Sequence, residues 1–524
     1  MSIPAGAAGR PAALPETPPP AVPGAAGVRR VLHNALSLLL AYVLPRLFML
    51  GSVVVAARVL GATQFGAYST AAAFAVVLSI IATLGMTPLL VREIARAPER
   101  APGLLAAAHA VKTASNVLML ALLLVLSRYV MGYPAPVVLA ALLLGVSYAV
   151  GAYTENLAAW FQAVERMHVW TQASAINGVV AGGLGLGLVA GTRSLTWFCV
   201  APILGQLGAL AWLAVRLPQE ARQGGRIALA EALRLARALA PFAAAFVALT
   251  IYYKVDVLLL ARWRDAAEVG TYAAAYKLVD VVQALALVVA GAVYPRLSRA
   301  VAAGAGADPA EAAAGAAAAA ADAPLPAAAA RLSEWMLLAV APAAGLVFLL
   351  REPLIAVVYG HDYAEAAAVL GWLAAVLPAL ALNILAGYIL GAAGLMRRVA
   401  GAYVLATAAN VAANALLIPR YGAVGAGMAM LGSEVFLAGI LIAVLGSRGA
   451  APAGRWLAAA CAPALAAAAA AALAGERPVL AAAGYALAVG VLYRGTGVLA
   501  REDLRLLAQA LGMRRRMHPA EAQP

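Results

Sequence analysis

The chain repeats itself. Arg58, Gly66, Tyr68 and Arg92 return as Arg262, Gly270, Tyr272 and Arg296, each 204 positions further on. Each Gly-x-Tyr opens a long apolar run, and each run ends at its arginine. The neighbouring letters run in parallel, FGAYSTAAAF beside VGTYAAAYKL. A duplicated apolar unit of this length predicts two copies of one helical bundle, with a path for a solute between the copies. That pattern argues for a transporter and against a membrane anchor or a channel of single spans.

Lipid is the only solvent that suits such a chain. Hydrophobic residues make up 65% of it and charged residues 11%, with a mean hydropathy of +0.89. A soluble domain is about a quarter charged. Spans must be helical because hydrocarbon offers no partner to an unpaired backbone group, and no strand-length alternating segments of the barrel type occur. Cys199 and Cys461 both fall in apolar runs and imply neither a disulfide framework nor a metal site. Residues 1–30 are rich in Pro and Ala without an apolar core, and read as a disordered cytoplasmic tail, not a secretory signal.

Apolar runs place spans near 34–57, 67–91, 104–127, 137–160, 171–191, 195–215, 238–261, 270–293, 332–350, 366–392, 399–418, 423–446, 456–475 and 479–497, fourteen in all. One set of loops and ends holds Arg29, Arg30, Arg92, Arg96, Arg100, Arg216, Arg222, Arg226, Arg397, Arg398, Arg514, Arg515 and Arg516, among others. The opposite set holds fewer, including Arg58, Arg128, Arg193, Arg262 and Arg351. The richer set is cytoplasmic by the positive-inside rule, and both termini are then inside. The net charge of +14 becomes a topology signal and an attraction to anionic lipid headgroups, not a nucleic-acid footprint.

The expected organisation is an N-terminal lobe at 31–217 and a basic linker at 218–237. A second lobe at 238–447 follows, interrupted by an Ala-rich cytoplasmic loop at 300–330. Two further spans lie in 448–500, before a basic tail at 501–524. No external loop is long enough for a catalytic domain, and no zincin, Walker A, nucleophile-elbow or paired-Cys motif occurs. Neither an enzyme, a cofactor nor a metal is indicated.

Charges inside spans are costly, and are functional or paired. Arg46, Lys112, Lys254 and Lys277 are the basic ones; Glu155, Asp256, Asp280 and Glu434 are the acidic ones. The counts balance, so pairing decides what is left for a ligand. Arg46, next to Pro45, either grips an anionic headgroup with its planar fork or pairs with an acid such as Glu434 at similar depth. Lys254 and Asp256 share one span, Lys277 and Asp280 the next. Lys277 and Asp280 are three apart and share a helix face. Lys277 and Lys254 are candidate substrate contacts; Asp256, Asp280 and Glu434 are candidates for ion coupling or for structural pairs. Polar stripes at His109, Lys112 and Asn116, at Tyr148, Glu155 and Gln162, and at Tyr403, Thr407, Asn410 and Asn414 either line a wet path or join helices. Tyr68 and Tyr272 read as aromatic belt anchors. Gly66 and Gly270 read as residues that permit a tight start to the span.

These motifs carry a family resemblance. RVLGATQFGAYSTAAAF followed by LGMTPLLVREIAR resembles the opening hairpin of polysaccharide-biosynthesis flippases, the Wzx-type proteins of O-antigen and exopolysaccharide export. That family lies in the multidrug/oligosaccharidyl-lipid/polysaccharide exporter superfamily. YYKVDVLLLAR, EVGTYAAAYKLVD and YPRLSR resemble the start of its second half, and IPRYGAVGAGMAMLGSEV its eleventh-to-twelfth span junction. The resemblance covers residues 31 to 446. It implies two six-helix lobes in a V, plus two C-terminal helices. It implies transfer of an undecaprenyl-diphosphate-linked oligosaccharide from the inner to the outer leaflet of the bacterial inner membrane, with membrane lipids, a polymerase and chain-length machinery as partners. Its cationic cavity residues carry over to Arg46, Lys277 and Lys254, and a coupling role to Asp256. A multidrug or small-molecule exporter of the same superfamily, or a lipid II flippase, is the alternative.

Overall fold

A computed structural model of the chain describes residues 25–83, 86–222, 250–304, 327–447 and most of 461–495. Every element among the described residues is helical. Short turns aside, the main ones in chain order are α1 (Ala25–Thr83), α2 (Met86–Arg96), α3 (Ala101–Val125), α4 (Ala135–Ala163), α5 (Met167–Thr192) and α6 (Leu195–Arg216). The second half follows with α7 (250–263), α8 (Ala266–Gly304), α9 (Ala327–Leu349), α10 (Arg351–Tyr359), α11 (Ala366–Ala392), α12 (Met396–Gly446) and α13 (Pro478–Gly495).

Among the described residues, eight helices are long and apolar enough to cross a membrane. Two of these are pairs of helices. In α1 the backbone at Gly61 has φ 72°, and in α12 Gly422 has φ 58°. Only glycine takes such a conformation freely, so each marks the junction of two helices. These junctions fall between the spans expected at 34–57 and 67–91, and between those at 399–418 and 423–446. The span expected at 479–497 is present as a shorter apolar helix, Leu480–Tyr493. The span expected at 456–475 is described in part, and its described residues from 461 on are helical, with Ala466, Ala467 and Ala470 buried. The first part of 238–261, most of the linker and of the Ala-rich loop, residues 1–24 and the basic tail lie outside the described residues, while 25–30, expected as disordered tail, are helical. α10 was not expected. Its nine residues occupy part of the stretch read as a loop after the ninth span, because one apolar face, Ile355 and Tyr359, is buried.

The apolar core is not uniform. In the N-terminal half one cluster gathers Leu60, Phe74, Leu123, Leu144 and Phe198. A separate cluster gathers Met86, Leu90, Leu104, Phe161 and Leu213, and all its described members come from that half. A third cluster runs through the C-terminal half, from Tyr252 to Leu445, and takes in Ala57, Phe65 and Ala73 from α1. Among the described residues, the halves therefore share apolar packing around Ala57 to Ala73. At the end marked by Met86 and Leu213 the first half packs on itself. The last helix is fastened to the second half. The Tyr485 hydroxyl donates to the carbonyl of Pro342 at 3.0 Å, and its ring fills the space beside Gly345 of α9.

Candidate functional site

Arg46 owes its position to a stripe of small residues. A side chain at Gly178 of α5 would strike Pro45, one at Gly182 would strike the backbone of Phe48 and Met49, and Gly185 lies beside Ser52. The bare glycine surface lets α1 lie close on α5. Each residue turns the helix by about 100°, so Arg46 is rotated away from the Pro45 contact, and its side chain is exposed.

The two cations of the second half are engaged differently. Lys277 Nζ donates to Asp280 Oδ2 at 2.7 Å, as their spacing on one face of α8 anticipates. The pair is partly exposed, at 34% and 30% of the side chains. Lys254 Nζ lies 5.0 Å from the centre of the Tyr276 ring, within cation–π range. Asp256 points inward and is 4% exposed. It accepts a short hydrogen bond from the Tyr272 hydroxyl and another from the backbone N–H of Val257 at 2.8 Å. Tyr272 is therefore not a belt anchor. It is fully buried, because its hydroxyl serves a buried carboxylate instead of headgroup water. Tyr68, its repeat-mate, is partly buried and packs on Phe65 and Phe198.

Glu434 sits deeper, 1% exposed, in a nest of amides. Asn383 donates to its carboxylate at 2.6 Å and to its backbone carbonyl at 2.9 Å. Next to it Ser433 accepts from Asn410 at 2.9 Å, and Asn414 donates to the Asn410 side chain at 3.0 Å. Among the described residues, the side-chain oxygens of Asn383 and Asn414 are buried and meet no hydrogen-bond donor. The arrangement joins α11 and both segments of α12 through polar contacts and is rich in oxygen acceptors. Asn410 and Asn414 were legible as a stripe. Asn383 was missed, although an amide inside the apolar run of α11 was a signal.

In the first half, Lys112 is wholly buried between α3 and its neighbours. It donates to the carbonyl of Thr83, the last residue of α1, at 2.8 Å, and lies 3.5 Å from Glu155 Oε2. An ammonium at the carbonyl end of a helix is favourably placed. Asn116 donates to the carbonyl of Ala149 at 3.1 Å, and Tyr153 meets Thr113 at 2.8 Å with its ring stacked on His109. Lys112, Asn116 and Glu155 thus join helices. Glu155 meets a lysine as well as any headgroup water.

Gly66 and Gly270 do not serve a tight start to a span. Both lie within helices, and each packs on the other's surroundings: a Cβ on Gly66 would strike the carbonyl of Ala266, and one on Gly270 would strike the carbonyl of Ala62. Their missing side chains let α1 and α8 approach to backbone contact.

A family model described as polysaccharide biosynthesis protein matches residues 31–301. No curated protein matches the chain in sequence. Among solved structures, the lipid II flippase MurJ in an inward closed conformation superposes with a TM-score of 0.67 at 13% identity, over 88% of this chain and 99% of that one. An inward-facing multidrug resistance MATE family transporter of the MOP superfamily gives 0.55 at 14% identity, over 79% and 98%. A MATE transporter from Vibrio cholerae gives 0.51 at 16%, over 79% and 96%. At these identities the likeness is one of fold. The family match covers more than half of the 524 residues, and the chain belongs to the polysaccharide biosynthesis protein family.

Proposed function

We propose that this protein is a flippase. It moves an undecaprenyl-diphosphate-linked oligosaccharide from the cytoplasmic to the outer leaflet of a bacterial inner membrane, to supply O-antigen, capsule or exopolysaccharide synthesis. The observation that carries the reading is the family match over residues 31–301. The physical need is plain: a glycan with a diphosphate cannot cross hydrocarbon unaided. A wet space between the two halves holds the sugars, while the lipid tail stays in the bilayer. Arg46, with its exposed side chain, and Lys277 and Lys254 offset the diphosphate. Rocking of one half against the other changes the leaflet to which the space opens. No covalent step is needed. Glu434, held by the Asn383 amide beside the acceptor oxygens of Asn383 and Asn414, fits an ion-coupling role better than Asp256 or Asp280, whose partners are Tyr272 and Lys277. Polymerase and chain-length machinery are the expected recipients of the product.

The test is leaflet transfer in vesicles. Purified protein is reconstituted with a fluorescent lipid-diphosphate oligosaccharide, and quencher accessibility reports the leaflet. Transfer is expected, with at least a tenfold loss in Arg46→Ala and Lys277→Ala. Parallel vesicles with lipid II and with a cationic drug decide between this reading and its two alternatives. Transfer of the glycolipid that survives both substitutions defeats the site assignment.

A further inference from the structure

The two glycines of the repeat meet each other. Ala62 precedes Ala266 by 204 positions, and Gly66 precedes Gly270 by the same number. Gly66 approaches the carbonyl of Ala266, while Gly270 approaches the carbonyl of Ala62. A Cβ on Gly66 would also come within 2.8 Å of the Gly270 nitrogen, and one on Gly270 within 3.1 Å of the Gly66 nitrogen. Residue i touches j′ while j touches i′, which is the signature of a two-fold contact between equivalent surfaces. The local two-fold axis relating the halves therefore passes between these two glycines. No side chain separates the two backbones there, so the surfaces are either in register or apart.

Beside this crossing a fastening spans the halves. Arg58 Nε donates to the carbonyl of Val358 at 2.7 Å, and its terminal nitrogen donates to that of Val357. Both carbonyls lie in the last turn of α10, where a helix leaves its carbonyls without internal partners and carries its negative dipole end. Tyr363 donates to the carbonyl of Ala57 at 2.8 Å, and its ring meets Phe65 edge-on at 6.4 Å. Burial raises the Tyr363 phenol above its ordinary range, so it stays protonated and a donor. The acceptors are carbonyls and not carboxylates. Separation then breaks hydrogen bonds without stranding a buried anion, which suits a contact made and broken each cycle.

We propose that the Gly66–Gly270 crossing is the closing seam of the outer mouth, and that Arg58 of α1 gripping the end of α10, with Tyr363 gripping α1 in return, is the latch that holds it shut. The proposal deepens the alternating-access reading and rests on the same orientation of the chain. Its test does not use the substrate, so it succeeds or fails apart from the flippase assignment.

The probe is a membrane-impermeant maleimide added outside right-side-out vesicles. The reporter is Ala73→Cys, at a position buried in the seam cluster, in a background with Cys199→Ala and Cys461→Ser. The parent should label slowly. Arg58→Gln and Tyr363→Phe should each raise the labelling rate, by about tenfold for Arg58→Gln, which loses two charge-assisted hydrogen bonds. Gly66→Leu cannot fit against the Ala266 carbonyl and should label fastest. The Arg58 and Tyr363 variants remove no core volume, so they keep the test valid if the leucine variant does not fold. Unchanged labelling in Arg58→Gln and Tyr363→Phe, or faster labelling only from the cytoplasmic side, overturns the proposal.

Discussion

Replacing Asp280 with Asn tests whether Lys277 receives phosphate besides pairing with Asp280. The carboxylate oxygen lies 2.7 Å from the Lys277 ammonium. At an effective dielectric of about 20, unit charges at that distance attract by about 6 kcal/mol. The two side chains are 34% and 30% exposed, so solvent screening and the entropy of holding both chains leave a net of about 1 kcal/mol. A lipid diphosphate docking on Lys277 competes with Asp280 for the same charge. Removing the competitor should tighten docking by that ~1 kcal/mol, or about fivefold in Kd. The assay is equilibrium binding of the fluorescent lipid-diphosphate oligosaccharide to protein in nanodiscs, with thermal unfolding of each variant beside it. Asp280→Asn should bind about fivefold tighter, and Lys277→Ala should bind more weakly. The double variant should match Lys277→Ala, because Asp280 acts only through Lys277. Unaltered or weaker binding by Asp280→Asn, with unfolding unchanged, would refute the view that Lys277 receives phosphate and would leave the pair a helix brace.

Further outcomes follow from the buried contacts. Lys112→Met should lower thermal stability by about 1–3 kcal/mol, since it leaves the Thr83 carbonyl without its buried donor, whereas Glu155→Gln should cost under about 1 kcal/mol because that side chain is 44% exposed; detergent unfolding curves measure both. Tyr272→Phe should cost about 1–3 kcal/mol, because the buried Asp256 loses a donor; its unfolding midpoint should recover when Asp256→Asn is added. Glu434→Gln should weaken the dependence of transfer on cation or proton gradient while Asp256→Asn leaves it intact, as read by transfer rates with and without an imposed gradient. Gly422→Ala should destabilise by at least about 1 kcal/mol, as it forces a side chain into φ 58° and against the Glu268 carboxylate that accepts from Ala423 N.

Much of the fold was legible because its signals are local. Apolar runs of span length and the junctions near Gly61 and Gly422 come from short windows of sequence. The Lys277–Asp280 pair follows from helical spacing alone. The misread residues depend on partners far along the chain. Gly66 looked like the start of a span because its true neighbour, Ala266, is two hundred positions away. Tyr272 looked like a belt residue because depth in a span does not say whether a phenol faces lipid or a carboxylate on the adjoining helix. α10 was hidden because it is only nine residues long and follows α9 after a single residue. Among the candidate cavity cations, local spacing anticipated the partner of Lys277, but not the Tyr276 ring beneath Lys254.

The clasp between Tyr485 and Pro342 has a practical consequence. It fastens α13 to α9, so if the halves rock as proposed, a label on α13 moves with the second half. A donor dye there and an acceptor on α6 should read the hinge angle directly, and Tyr485→Phe should loosen that read-out before it slows the turnover.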